Sequence, residues 1–160
     1  MKVKSKGIID GFFMDRYGKR GTVADLSIPF TIEDAPDHTV SFAIVLEDID
    51  AIPVCGFSWI HWIACNITRT VIEEGESKSA TDFIQGMNSS WSMQGGQSKD
   101  QAIGFTHFGP PDQPHRYDLH VYALDSKLDL KEGFYLNELK KAMEGHIIQE
   151  VVLSGVYNHE

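Results

Sequence analysis

At 160 residues, 42% of them hydrophobic, the chain suffices for one domain (1–160) with its own core, and disorder as the overall state is excluded. It sets 14 basic against 23 acidic residues, a formal charge of −9, with no Lys/Arg stripe, so nucleic acid and anionic membrane surfaces are poor partners. Only two cysteines occur, nothing approaches the ~18 apolar residues of a membrane span, and no apolar signal segment follows Lys2, Lys4 and Lys6, so the expected location is cytoplasmic.

The first third carries short apolar stretches punctuated by Gly18, Gly21, Pro29, Pro36 and Asp37, the pattern of closely spaced short strands. Thr39 to Leu46 then forms a run that becomes apolar on both faces, as a covered central strand does. After a polar turn between Asp48 and Gly56, Phe57 to Ile67 forms a second such run. A long polar stretch from Arg69 to Phe108 follows, with single aromatics at Phe83, Trp91, Phe105 and Phe108 that suggest an anchored loop, the natural place for either a dimer contact or a lid. His115 to Leu124 is a third strand and alternates more clearly. Leu136, Leu139, Met143 and Ile147 recur at helical spacing, with Asn137 as the expected N-cap and Gly145 as an expected interruption, and a second helical piece is expected over 148–153. Strong strands separated by loops, with helix only near the end, predict a mostly β antiparallel sheet or sandwich.

Four segments hold residues suited to chemistry. Asp48 and Asp50 end the first strong strand, and in an extended chain positions i and i+2 face one space. The plain alternative is a solvated acidic turn. His61 sits inside an apolar strand, where a buried imidazole requires a hydrogen-bond partner. His115 and Tyr117 share a strand face with Leu119 and Val121, an apolar face with a polar mouth. Just before them, Gly109-Pro110-Pro111 makes a stiff turn whose glycine amide can approach a ligand.

Taken together, these features resemble the phosphatidylethanolamine-binding protein family, in its compact bacterial and archaeal, Raf kinase inhibitor-like branch. The resemblance is carried by the acidic pair with Ala51 and Pro53 after it, His61-Trp62, and Gly109-Pro110-Pro111 leading into His115-Arg116-Tyr117. Gly86-Met87-Asn88 and the tail from Ala142 through Tyr157 extend it. The chain departs from the family pattern at Ile49, where a proline usually separates the aspartates, and at Ile52, which delays the next proline to Pro53. The resemblance implies a large antiparallel sheet packed on a smaller one with short C-terminal helices. It also implies a small anion site at Asp48, Asp50, His61, Gly109, His115 and Tyr117, with no catalytic residue, metal or cofactor. Relatives are described as lipid head-group binders and as kinase or protease inhibitors, and those of the bacterial branch are often homodimers.

In such a site, protonated His61 or His115, the Tyr117 hydroxyl and amides near Gly109 would donate to a phosphate or carboxylate. Asp50 would shape the rim or meet the cationic end of a zwitterionic ligand. A second reading is a metal-dependent hydrolase in which Asp48, Asp50, His61 and His115 hold a divalent ion, an acceptable ligand set without a tight motif. A third is a cysteine enzyme using Cys65, which strict alternation places on the same strand face as His61.

Overall fold

Residues 41–48 are covered on both faces, and the alternation of their side chains sets the architecture. In the computed structural model, which describes residues 1–160, Phe42, Ile44 and Leu46 enter one buried apolar cluster, while Ala43 and Val45 enter another. Successive side chains of a strand leave opposite faces, so a continuous apolar run needs a layer on each side.

The strands are β1 (Lys2–Lys4), β2 (Ile8–Ile9), β3 (Phe12–Phe13), β4 (Phe30–Glu33), β5 (Ser41–Asp48), β6 (Trp59–Ile67), β7 (Val71–Ile72), β8 (Ile84–Gln85), β9 (His115–Leu124) and β10 (Ile147–Tyr157). The helices are α1 (Ile52–Cys55), α2 (Glu76–Ser79) and α3 (Leu136–Met143). Seven strands form the large sheet in the order β2-β3-β10-β9-β5-β6-β8, and β1-β4-β7 form the small one. The expected mostly β arrangement of a large sheet packed on a smaller sheet is what the chain adopts. Phe30 and Ile32 of β4 cover Trp62, Leu46 and Leu119 on one face of the large sheet. Leu139 and Met143 of α3 cover Val45, Ile63 and Cys65 on the other. Each fully buried Leu, Ile or Phe contributes about 1.5–3 kcal/mol, and together these side chains hold the layers in place.

Three expectations near the C-terminus are corrected. Residues 148–153 are not helical: they belong to β10, which pairs antiparallel with β9 from Ile147↔Leu124 to Tyr157↔His115. Their β-branched run Val151-Val152 favours strand, and Val151, Leu153, Gly155 and Tyr157 turn toward the core in alternation. Helix α3 ends at Met143 because Gly145 adopts a left-handed conformation at φ 79°, so Ile147 never joins its apolar stripe. Its N-cap is Tyr135, whose backbone N–H donates to Glu138 Oε1 at 3.0 Å, and Asn137 lies within the first turn.

The polar stretch from Arg69 to Phe108 is anchored by Phe83, Phe105 and Phe108, all buried, whereas Trp91 stays at the surface near Tyr135. Short elements, including β7, α2 and β8, interrupt it. No helix is long and apolar enough to cross a membrane.

Candidate functional site

The β5–β9 register builds the site. Asp48, the last residue of β5, stands directly across from Tyr117 of β9, and His115 lies two residues away on the same face. His115 Nδ1 meets Asp48 Oδ2 at 2.7 Å, and its Nε2 meets Asp112 Oδ1 at 2.8 Å. Asp48 Oδ1 also accepts the Ala51 N–H at 3.2 Å, which closes the turn after β5. Burial works against a charged imidazole at His115, but the bonds to Asp48 and Asp112 outweigh it and raise its pKa above the ordinary histidine value. Burial also lifts the Asp48 carboxyl above the usual aspartate range, against the pull of His115.

His61 reaches the site through a β-bulge. Leu46 pairs with Trp62 and Glu47 with Ile60, which leaves His61 as the extra residue of β6. The bulge interrupts strict alternation, so His61 and Trp62 both face the side of the large sheet that carries Tyr117 and Phe108. His61 and Cys65 therefore do not share a face: Cys65 lies in the cluster under α3, where burial pushes its thiol up to about 12. Neither does the expectation of a protonated His61 hold. Complete burial pushes its pKa down to about 4, and its Nδ1–H donates to the Thr106 carbonyl at 2.8 Å. A carbonyl only accepts, so the proton of the neutral ring sits on Nδ1 and Nε2 is an acceptor. In return, the Thr106 N–H donates to the His61 carbonyl at 2.8 Å and fixes the 105–109 segment against β6.

A cavity of about 420 Å³ opens over these groups, within the range of small-molecule sites. Asp48, His61, Gly109, His115 and Tyr117 all line it. Asp50 does not: its Oδ2 accepts the Arg116 backbone N–H at 2.9 Å and ties the turn after β5 to the start of β9. A Cβ built on Gly109 would meet only His107 Cδ2, at 4.0 Å, so the missing side chain leaves room in the cavity. Ala51, Val54 and Trp59 give the mouth an apolar side, Gln94 and Gln97 a polar one, and no Lys or Arg lines it. Tyr117 is fully buried, and its hydroxyl has no hydrogen-bond partner. Burial and the neighbouring Asp48 push its pKa upward, so it remains a neutral donor.

Two contributors were missed in the sequence. Asp112 lies in the proline-rich turn, three residues before the His115 it binds, and that D-x-x-H spacing was a readable signal. His107 also lines the cavity, and its Nδ1 meets Asp25 Oδ1 at 2.8 Å. Its partner is remote in sequence, and nothing in the local pattern points to it.

The model of the phosphatidylethanolamine-binding protein family matches residues 2–158. Among curated relatives, the uncharacterized protein YxkA of Bacillus subtilis is 44% identical over 143 residues, covering 86% of this chain and 84% of its own length. A UPF0098 protein of Pyrococcus horikoshii is 34% identical across 100% of this chain and 77% of its own length. Among solved structures, a phosphatidylethanolamine-binding protein homologue from Chlamydia trachomatis superposes with a TM-score of 0.83 at 31% identity, covering 99% of this chain and 97% of that one. The YbcL structure of Escherichia coli, at 24% identity and a TM-score of 0.79, shares the fold. With a family model spanning nearly its whole length and relatives aligned across most of theirs, this chain belongs to the phosphatidylethanolamine-binding protein family.

Proposed function

We propose that the cavity binds a small anionic or phosphorylated ligand of phospholipid head-group size, and that the protein works by binding rather than by turnover. The observation that carries this reading is the Tyr117 hydroxyl, buried without a partner on the cavity wall. Leaving such a group unsatisfied costs about 1–3 kcal/mol, a cost that a ligand oxygen accepting its proton removes. The His61 ring, whose Nε2 is an acceptor with no partner in the chain, lines the same cavity and meets the Tyr117 ring edge to face with centroids 5.1 Å apart. One donor next to one acceptor suits a hydrogen phosphate or phosphomonoester, which presents both P–O and P–OH. The family's name supports a phosphate-bearing head group. A regulatory role toward a kinase or protease forms the wider part of the proposal and rests on the family resemblance alone.

The hydrolase reading finds less support. Asp50 turns away to the Arg116 amide, both His115 nitrogens are bonded, and His/Cys/Asp/Glu side chains are nowhere gathered in threes as metal ligands. The test is an amide NMR titration of metal-stripped protein with phosphate and then phosphoethanolamine, comparing wild type with Tyr117→Phe. Shifts at Asp48, His61 and residues 109–117 that are lost in the variant are expected. No response, or one that returns only with a divalent metal, would overturn the proposal.

A further inference from the structure

We infer that His107, held by Asp25, is the residue that receives the negative charge of the ligand. This rests on reading the cavity as an anion site. An anion in a chain of net charge −9 needs a local cation, and three imidazoles are the only cavity-lining groups able to carry positive charge. His61 is excluded because its one proton is committed to the Thr106 carbonyl and complete burial keeps the ring neutral. His115 is excluded because Asp48 takes one ring nitrogen and Asp112 the other, which leaves no ring N–H for a ligand. Of the two rings that a carboxylate keeps chargeable, His107 alone retains an unpartnered nitrogen.

The geometry around His107 suits that task. Asp25 Oδ1 accepts both the backbone N–H of His107, at 3.0 Å, and its ring Nδ1, at 2.8 Å, so one oxygen fixes main chain and side chain together. Nε2 has no partner in the chain, and the Cδ2 edge of the ring borders the position a Gly109 Cβ would take, on the cavity wall. The ring is half exposed, so an incoming anion reaches it without displacing any protein group.

The charges around it are few. Asp25 faces it from the loop before β4 and raises its pKa above the ordinary histidine value against partial burial. Lys78 of α2 lies behind Asp25, its ammonium on the Ala24 carbonyl. His61 of β6 is neutral, and His115 is already paired. Hydrogen phosphate, or a phosphomonoester in its monoanionic form, then meets a charged N–H from His107 and a neutral O–H from Tyr117, and its own P–OH donates to His61 Nε2. The one carboxylate on this wall, Asp48, is engaged by His115 and the Ala51 amide, so the cavity selects the anionic end of its ligand.

The test measures binding of inorganic phosphate, and of sulfate because its charge is constant over this range, by amide shifts of the full chain between pH 5.5 and 8.5. Wild type, His107→Gln and Asp112→Ala are compared. In wild type, sulfate affinity is expected to rise as pH falls. His107→Gln is expected to weaken both anions at least tenfold at pH 6 and to flatten the sulfate profile, while its remaining amide spectrum stays native. An unchanged affinity and profile in His107→Gln, with tightening in Asp112→Ala, would assign the charge to His115 and overturn this inference while leaving the anion site standing. Failure of wild type to bind either anion would overturn the anion site and this inference together.

Discussion

Asp48 stands across from Tyr117 in the β5–β9 register, yet its carboxylate is committed to His115 Nδ1 at 2.7 Å and leaves the Tyr117 hydroxyl bare. Stability and binding are therefore opposed at one atom. Tyr117→Phe removes an unsatisfied buried hydroxyl and keeps the ring that packs on Phe108 with centroids 4.1 Å apart. Urea unfolding without ligand should show stability equal to wild type or higher by up to about 1–2 kcal/mol. Phosphate affinity should fall about tenfold or more. A loss of stability in the variant would show that the hydroxyl has a partner in the folded chain.

Stability should peak between about pH 6 and 7, for two reasons of opposite sign. His107, His115 and His120 have folded pKa values raised above their ordinary value by carboxylate partners, so their contribution is complete below about 6.5 and fades as pH rises through the raised values. His61 is displaced the other way, to about 4, so the unfolded chain binds its proton first and stability falls as pH drops from about 6.5 toward 4. That single group is worth up to about 3 kcal/mol at the acid end. Urea midpoints from pH 4.5 to 8.5 measure the curve, and His61→Phe should flatten its acid limb relative to wild type. An identical acid limb in the variant would assign the loss to carboxylates instead.

What the sequence disclosed follows the strength of its periodic signals. β5, β6 and β9 were legible because long β-branched, apolar runs leave few alternatives, and their register brings Asp48, His115 and Tyr117 together once they pair. The His61 bulge was not legible, because an inserted residue changes which face a side chain takes without changing the composition of the strand. The start of β10 is misread because a short apolar run such as 148–153 suits a separate helical turn as well as a strand, and the pairing with β9 decides between them. His107 with Asp25 depends on two loops meeting across 82 residues, a relationship that no local pattern encodes.

The two cysteines should differ sharply toward alkylating reagents. Cys65 is fully buried under α3 with its thiol pushed up to about 12, so iodoacetamide should leave it untouched in the folded protein. Cys55 is half-buried at the end of α1 and lines the cavity, its Sγ 3.3 Å from the Phe57 carbonyl. Mass spectrometry should find label at Cys55 alone, and phosphate should slow that labelling if it occupies the cavity. Rapid labelling of Cys65 in native protein would revive a role for its thiol.

Gly18 and Gly109 should respond in opposite ways to the same substitution, although both border the segment that carries His107. Gly18 bridges to Phe108, and a Cβ there would lie 2.6 Å from the Phe108 carbonyl oxygen and 2.5 Å from the Tyr157 hydroxyl. The first is backbone, held by the Lys19 N–H at 2.7 Å, and the second belongs to a buried ring whose hydroxyl donates to the Asp15 carbonyl at 2.8 Å. Neither yields cheaply, so Gly18→Ala should cost about 1–3 kcal/mol, the usual range for overpacking. Because Phe108 packs on both His61 and Tyr117, the strain should also weaken phosphate binding without altering any cavity-lining residue. Gly109→Ala meets only His107 Cδ2 at 4.0 Å, an ordinary contact, and should change stability by less than about 0.5 kcal/mol. Paired urea midpoints for the two variants decide the matter: equal losses would mean that residues 105–109 move as a soft loop, whereas a loss confined to Gly18→Ala would show that the bridge to Gly18 holds the cavity wall in place.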